Sequence, residues 1–211
     1  MVTGVARHSL GEAFVRSYTS HTPAAQVIGV DHVTNPDLND SPAFRRILID
    51  LNPLHFPARI SDFAHEFTGK LAETVGAMGS GGVDCLVQCA GVYDFGTFLE
   101  HNVNRRTDLL GLNVLGIIEV LHSVMTLNQG LQIRNEHELT HVIIGSFQGL
   151  YARPGRSIYA SSKAYTIDLC TSLFDGRGGC QVHVYRGWAD RHPYAASQPL
   201  GVKSPRIGTF L

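Results

Sequence analysis

Short apolar runs alternate with longer amphipathic stretches along this chain of 211 residues. An apolar run of about five residues, such as the one before Gly145, is typical of a strand buried in a parallel sheet. The longer stretches repeat apolar residues at helical spacing, which is typical of helices that cover such a sheet. The alternation therefore predicts an α/β fold with a parallel sheet.

The same pattern gives the approximate bounds of each element. Strands are predicted at residues 1–3, 26–31, 46–50, 84–88, 139–144 and 181–185. Helices are predicted at residues 11–18, 61–77, 104–127 and 157–174. We expect residues 1–190 to form a single domain and residues 191–211, which hold three prolines and no regular period, to form an irregular tail.

Composition narrows the class of protein. A hydrophobic content of 44% is enough for one sizeable core, and a net charge of -1 gives no field suited to nucleic acid or to an anionic membrane surface. A small-molecule ligand is therefore expected. We see neither an apolar stretch of the length that spans a membrane nor a signal-peptide core, which predicts a cytoplasmic protein. The four cysteines lack C-x-x-C spacing and are predicted to be reduced core residues.

Three polar side chains carry the candidate chemistry. On a helix that begins near residue 157, Tyr159 and Lys163 stand at positions i and i+4 and share one face. A cation about 4–6 Å from a phenol favours the phenolate and makes the phenol a better acid and base near neutral pH. Ser146 follows an apolar run and lies at the C-terminal end of a predicted strand, where open α/β sheets bind ligands.

These residues resemble the active site of the short-chain dehydrogenase/reductase family, which has a Ser, then Tyr-x-x-x-Lys, and an Asn further upstream. The resemblance implies a doubly wound Rossmann-type sheet and hydride transfer between a nicotinamide cofactor and a secondary alcohol or ketone. Tyr159 would exchange the proton, Ser146 would hydrogen-bond the substrate oxygen, and Lys163 would hold the nicotinamide ribose. Asn113 would support a water-linked proton relay. The family's seventh strand and substrate-covering helices have no clear counterpart in this sequence.

The first turn resembles the family's glycine-rich loop, T-G-x-x-x-G-x-G, but is one residue longer. The resemblance implies pyrophosphate binding by five positions of this turn, which are Gly4, Arg7, Ser9, Leu10 and Gly11. Ser9 replaces the middle glycine. The alternative interpretation is an ordinary strand-to-helix turn in which Ser9 is the N-cap and Gly11 lies in the first helical turn.

The ends of the later strands supply the other predicted cofactor residues. Asp31 ends the second strand twenty residues after Gly11, the spacing at which a carboxylate binds the adenosine ribose and repels a 2′-phosphate. This favours NAD, although Arg7 and His32 are basic residues of the kind that NADP-dependent members use, so NADP stays open. The resemblance adds five further residues, which are Asp50 and Leu51 beside the adenine, Ala90 and Gly91 after the fourth strand, and Gly187 near the carboxamide. Gln88 and Cys89 replace two asparagines of the family's N-N-A-G.

Three further hypotheses come from the sequence. The family's usual dimer uses two long helices, so the resemblance implies a homodimer through residues 104–127 and 157–174. A divergent glycine loop and missing lid also leave open a catalytically weak nucleotide-binding or scaffolding protein. His137 and His141 fit the zinc motif H-E-x-x-H, but β-branched residues predict a strand there, and two residues four apart on a strand lie ~13 Å apart. We therefore predict no metal site.

Overall fold

The computed structural model describes residues 1–22, 24–56, 59–131 and 139–173, and the backbone of residues 180–185. The strands are β1 Val2–Thr3, β2 Val27–Asp31, β3 Phe44–Leu48, β4 Cys85–Gln88, β5 Thr140–Ser146 and β6 Cys180–Tyr185. The helices are α1 Leu10–His21, α2 Ile60–Ala77, α3 Val103–Leu110, α4 Ile117–Gly130, α5 Phe147–Leu150 and α6 Ser157–Ser172. A π-helical segment, Gly111–Gly116, joins α3 to α4, and a 3-10 turn spans Pro53–His55.

The six strands form one parallel sheet in the order β3-β2-β1-β4-β5-β6. This is the predicted doubly wound Rossmann-type sheet, and the strand order reverses between β1 and β4. The carboxyl ends of β1, β2 and β4 therefore border a crevice where such sheets bind ligands. The prediction that the seventh strand is absent concerns residues 186–211, which lie outside the described ranges.

Pairing shifts both bounds of the predicted third strand. We expected the third strand at residues 46–50, whereas β3 runs from Phe44 to Leu48. Each of its residues pairs with β2, from Val27 opposite Phe44 to Asp31 opposite Leu48. The apolar pattern correctly predicts that Ile49 is buried. The end of the strand, however, is set by the last residue of β2 with which it pairs.

Apolar stripes on the helices bury both faces of the sheet. The buried side chains of α2 recur at every fourth residue, as Phe63, Phe67, Leu71 and Val75. They form one core cluster with Val30, Ile47 and Leu86 of the strands and with Val120 and Val124 of α4. Val15 of α1 contributes to a second cluster with Val2, Val27, Val87 and Val142. Helices therefore cover the two faces, which is what keeps an all-parallel sheet away from water.

The continuous helix Val103–Gly130 corrects the expectation that no stretch could span a membrane. It is long and apolar enough to do so by length and composition, but half of its most apolar window is buried within the protein. A core helix of a soluble protein passes the same test, so this helix is weak support for a membrane span. Its packing against α2 explains the apolar composition.

The cysteines also differ from expectation. Cys85 and Cys89 are free thiols, as predicted, whereas Cys170 is disulfide-bonded. The prediction of four reduced thiols is therefore wrong for Cys170. Spacing along the chain does not show which sulfur atoms the fold brings together.

Candidate active site

One cavity of about 440 Å³ opens at the crevice where the strand order reverses. Seven of the predicted cofactor residues line it, namely Gly4, Ser9, Asp31, Asp50, Leu51, Ala90 and Gly91. These residues come from four separate parts of the chain, after β1, β2, β3 and β4. The fold therefore brings them together at the ligand-binding edge of the sheet.

Two glycines let the first turn pass close to its neighbours. Gly4 has φ +73°, and a Cβ there would lie 2.7 Å from the amide nitrogen of Ala90. A Cβ on Gly11 would overlap with the carbonyl oxygen of Gly4 and would lie 2.9 Å from that of Thr3. Gly4 thus supplies the left-handed turn and Gly11 the close helix–strand packing that dinucleotide loops require.

The additional residue of the loop is accommodated at His8. His8 adopts the left-handed conformation, with φ +62°, that a glycine favours. Ser9 is the N-cap of α1, since its Oγ accepts a hydrogen bond of 3.0 Å from the Glu12 amide. The same hydroxyl donates to the carbonyl of Gly4 at 2.7 Å. The alternative interpretation of Ser9 as an N-cap is therefore confirmed, and it coexists with a loop that lines the cavity.

A buried glutamate that we did not predict stabilises this loop. Glu12 accepts a 2.5 Å hydrogen bond from the His8 amide and is paired with Arg16 at 2.7 Å. Its hydrogen bonds to Arg16 and to the His8 amide lower the pKa of the Glu12 carboxyl. A sequence signal was available, because Ser9 and Glu12 fit the S-x-x-E spacing that is typical of a helix N-terminus.

Backbone donors remain at the start of α1. Within the described residues, the amides of Leu10 and Gly11 have no hydrogen-bond acceptor, as expected for the first turn of a helix. Unpaired N–H groups and the positive end of the helix dipole together favour an anion such as a pyrophosphate. The cavity, the two close-packed glycines and these donors fit a dinucleotide.

Asp31 is held in place by the backbone around it. Its carboxylate accepts hydrogen bonds from the amides of Ala6 at 2.8 Å, His32 at 2.8 Å and Val33 at 3.2 Å. The His32 ring nitrogen Nδ1 lies 3.0 Å away. Asp31 therefore ties the glycine loop to the end of β2, and it still lines the cavity.

A cluster of two carboxylates and a histidine, of which only Asp50 was predicted, lines the same cavity. His55 contacts Asp50 at 2.7 Å through Nδ1 and Asp108 at 3.0 Å through Nε2. These two hydrogen bonds, of which that to Asp108 has the larger effect, raise the pKa of His55. The cluster connects the 3-10 turn to α3. No local motif predicts this contact, since 53 residues separate His55 from Asp108.

Five predicted cofactor residues that the structure describes do not line the cavity, namely Arg7, Leu10, Gly11, Tyr159 and Lys163. Arg7 pairs with Asp37 at 2.8 Å on the exposed side of the loop. Leu10 is 43% exposed on the first turn of α1, and Gly11 packs against the backbone of Gly4. Gly187 is outside the described residues.

Lys163 and Asn113 converge on Gly91, which is one of the residues that line the cavity. A Cβ placed on Gly91 would lie 3.2 Å from Asn113 Oδ1 and 3.6 Å from Lys163 Nζ. Lys163 is buried, and its Nζ donates to the carbonyl of Ile144 at 2.8 Å. Burial lowers the pKa of the Lys163 ammonium to about 8. Its Nζ also lies 6.0 Å from the centre of the Tyr159 ring, so cation and phenol share one site as the spacing predicted.

The Asn113 side chain holds the segment that follows β4. Its Oδ1 accepts from the Val92 amide and its Nδ2 donates to the Val92 carbonyl, both at 2.8 Å. A third hydrogen bond of 3.3 Å reaches Ser162 Oγ. Asn113 lies within the π-helical segment, and its buried amide fixes the position of Val92 beside the cavity.

Ser146 and Tyr159 occupy the positions that the sequence predicts for them. Ser146 is the last residue of β5 and the N-cap of α5, with its Oγ accepting from the Gln148 amide at 3.2 Å. Tyr159 lies in the first turn of α6. The ring of Tyr93, from the segment after β4, packs edge-on against it with 4.9 Å between centroids. No motif in the sequence identifies Tyr93 as part of this site.

The zinc motif does not form the helix that it needs. His141 lies on β5, whereas His137 and Glu138 fall outside the described residues. The His141 ring is buried 3.0 Å from the Gln88 amide nitrogen, and burial lowers the pKa of His141 to about 4. No group of three potential metal ligands occurs in the part of the chain that the structure describes. Gln88 also donates to the Ile117 carbonyl at 3.1 Å, and so links β4 to α4.

Comparison with known proteins agrees with this geometry. A family model described as short chain dehydrogenase matches residues 56–185. No curated protein matches the chain.

Solved structures share the fold at low sequence identity. A short chain dehydrogenase/reductase from Saccharomyces cerevisiae is 20% identical with a TM-score of 0.69, and the match covers 87% of this chain and 68% of that one. A 4-hydroxyisoleucine dehydrogenase complexed with NADH and succinate is 19% identical with a TM-score of 0.67, over 88% and 78% of the two chains. Serine dehydrogenase from Escherichia coli is 18% identical with a TM-score of 0.67, over 87% and 78%.

Proposed function

Because the chain belongs to the short-chain dehydrogenase family, we propose that it moves a hydride between NAD and a secondary alcohol or ketone. NAD(P)-dependent oxidoreduction is the general activity of that family. The observation that carries the specific proposal is the convergence of Lys163 and Asn113 on Gly91, which lines the same cavity as the other predicted cofactor residues. Lys163 Nζ is in turn 6.0 Å from the centre of the Tyr159 ring, which supports an acid/base group beside the proposed cofactor site.

In this proposal the side chains handle the proton and the position of the substrate. The nicotinamide, when bound, supplies the hydride acceptor or donor. Tyr159 takes the proton from an alcohol or gives it to a ketone, and Ser146 hydrogen-bonds the same oxygen. Lys163, held by the Ile144 carbonyl, contacts the ribose and favours the phenolate of its neighbour. The Asn113 side chain is already bonded to Val92, so its part is to hold that segment in place.

Carboxylates at the ribose and adenine end of the cavity support the choice of NAD. Asp31, Asp50 and Asp108 line the cavity, His32 lies beside Asp31, and His55 lies between Asp50 and Asp108. A 2′-phosphate would approach these three carboxylates, and like charges at short distance cost binding free energy. The proposed cofactor is therefore NAD.

Titration of the purified protein with NADH and with NADPH tests this assignment. We expect NADH to bind at least tenfold more tightly, as measured by the change in nicotinamide fluorescence. Asp31→Asn should reduce that ratio, because it removes the charge but keeps an acceptor for the Ala6 amide. Asp37→Asn is the matched control, since Asp37 lies outside the cavity and pairs with Arg7. If neither cofactor binds, the proposal fails and the scaffolding alternative takes its place.

We also propose a homodimer through the helix Val103–Gly130 and α6. Large apolar side chains are exposed on both elements, among them Val103, Leu110 and Met125 on the first and Tyr165 on the second. Burial of such a surface in a subunit interface would remove it from water. Sedimentation equilibrium at micromolar concentration should give the mass of a dimer, and a monomer throughout that range would contradict the proposal. The proposed compartment is the cytoplasm.

A further inference from the structure

Two exposed aromatic rings form a shelf beside the candidate acid/base group. Tyr93 packs edge-on against Tyr159, and Phe95 lies two residues further along the same segment. The two residues are 53% and 61% exposed, so most of their surface is open to a ligand. We call Tyr93 and Phe95 the aromatic shelf.

Arg156 lies over this shelf. Its guanidinium carbon is 5.2 Å from the centre of the Tyr93 ring and 5.7 Å from that of Phe95. The backbone fixes this approach, because the Gly96 amide donates to the Gly155 carbonyl at 2.9 Å. A guanidinium stacked on aromatic rings is restricted in orientation but keeps N–H donors at its edge. Arg156 is thus positioned before any ligand binds.

No carboxylate among the described residues pairs with Arg156. The two acids of the neighbouring segment have other partners. Asp94 pairs with Arg105 and lies 3.1 Å from His101, and Glu100 accepts from the Thr97 amide at 2.6 Å. A cation therefore lies on the surface next to Tyr159 with its hydrogen-bonding edge available.

We propose that Arg156 is a specificity-determining residue that binds a carboxylate of the substrate, which makes the substrates hydroxy acids and oxo acids. This inference rests on the proposed oxidoreductase function. Arg156 and Tyr159 both contact the Tyr93 ring, so the carboxylate and the reacting carbon belong to one small molecule. Arginine binds carboxylates through two parallel hydrogen bonds, which fixes the orientation of the substrate as well as its affinity.

The reaction leaves the carboxylate unchanged. The alcohol carbon loses a hydride to the nicotinamide of NAD, and the hydroxyl proton goes to Tyr159. A C=O bond replaces the C–H and O–H bonds, so the products are the oxo acid and NADH. Arg156 contributes binding and orientation throughout.

Matched acids and esters test the substrate class. The substrates are 2-, 3- and 4-hydroxypentanoate and their methyl esters, each assayed with NAD by formation of NADH. We expect the wild type to favour at least one acid over its ester by roughly tenfold or more in kcat/KM, since hydrogen bonds to charged groups have effects of this size. Arg156→Met should raise KM for that acid by a similar factor and leave the ester unchanged.

Arg153→Met is the control, because Arg153 belongs to the same loop and makes no ion pair among the described residues. It should behave as the wild type does. If Arg156→Met slows the acid and the ester equally, or if the wild type does not favour any acid, the inference is overturned. Retention of ester turnover in Arg156→Met also shows that the variant is folded.

Binding without cofactor separates the two proposals. Calorimetric titration with pentanoate should show binding to the wild type that weakens roughly tenfold or more in Arg156→Met, whereas pentanamide should not distinguish the two proteins. Pentanoate binding that depends on Arg156, with no alcohol turned over, would reject the oxidoreductase proposal and support the carboxylate site. Alcohol turnover without preference for the acids would support the oxidoreductase proposal and reject the carboxylate site. Absence of both would reject both.

Discussion

Tyr159→Phe is expected to lower kcat by roughly 10²–10⁴-fold, which is the usual contribution of a general acid–base group. The substitution removes the phenolic hydroxyl but keeps the ring. The edge-on packing against Tyr93 and the position of Lys163 6.0 Å from the ring centre should therefore persist. The dissociation constant for NADH should stay close to that of the wild type, because Lys163, the residue proposed to hold the ribose, is unchanged.

The measurement is single-turnover kinetics with an acid or ester that the wild type oxidises, together with fluorescence titration of NADH. Tyr165→Phe is the matched control, since Tyr165 lies on the same helix and is 38% exposed. It should retain full activity. A Tyr159→Phe protein that turns over substrate at the wild-type rate would reject the proposed mechanism.

Gly11→Ala is expected to lower the free energy of unfolding by about 1–3 kcal/mol and to weaken NADH binding, because it overpacks the contact between α1 and β1. The added methyl group would overlap with the Gly4 carbonyl and approach that of Thr3 to 2.9 Å. Both are backbone atoms and cannot rotate away. Relief of the overlap must move α1 or the glycine loop, and either movement displaces Gly4 and Ser9, which line the cavity.

Urea denaturation and NADH titration measure the two effects of Gly11→Ala. Gly69→Ala is the control, because Gly69 lies inside α2 and a Cβ there would meet no atom within 4 Å. That variant should be as stable as the wild type or more stable by up to about 1 kcal/mol, since alanine favours helix more than glycine does. Equal stability of the two variants would contradict the close packing described for Gly11.

Most of the fold could be predicted because its signals are local. Buried parallel strands give continuous apolar runs, and α2 repeats its apolar residues at helical spacing, so all six strands and the long helices appear in the sequence. The bounds of β3 could not be predicted in the same way, since pairing with β2 sets them. The conformation of the glycine loop also needed the structure, because the left-handed residue is His8 and Ser9 caps the helix.

The residues of the candidate site also differ in whether local signals in the sequence predict them. Residues that lie at strand ends, such as Asp31 and Gly91, could be placed because strand ends converge in this topology. Arg7 could not, since its direction depends on Asp37, thirty residues away. Tyr93 and Arg156 were missed for the same reason, because their contact joins two distant loops and no motif records it.

The glycine loop has a consequence for how a dinucleotide would bind. The Glu12 carboxylate holds the His8 amide and the Asp31 carboxylate holds the Ala6 amide, so the chain itself fixes the loop. The loss of conformational entropy on ordering this segment accordingly belongs to folding. A dinucleotide meets a preorganised loop, and the free energy of its association is not reduced by a disorder-to-order transition there.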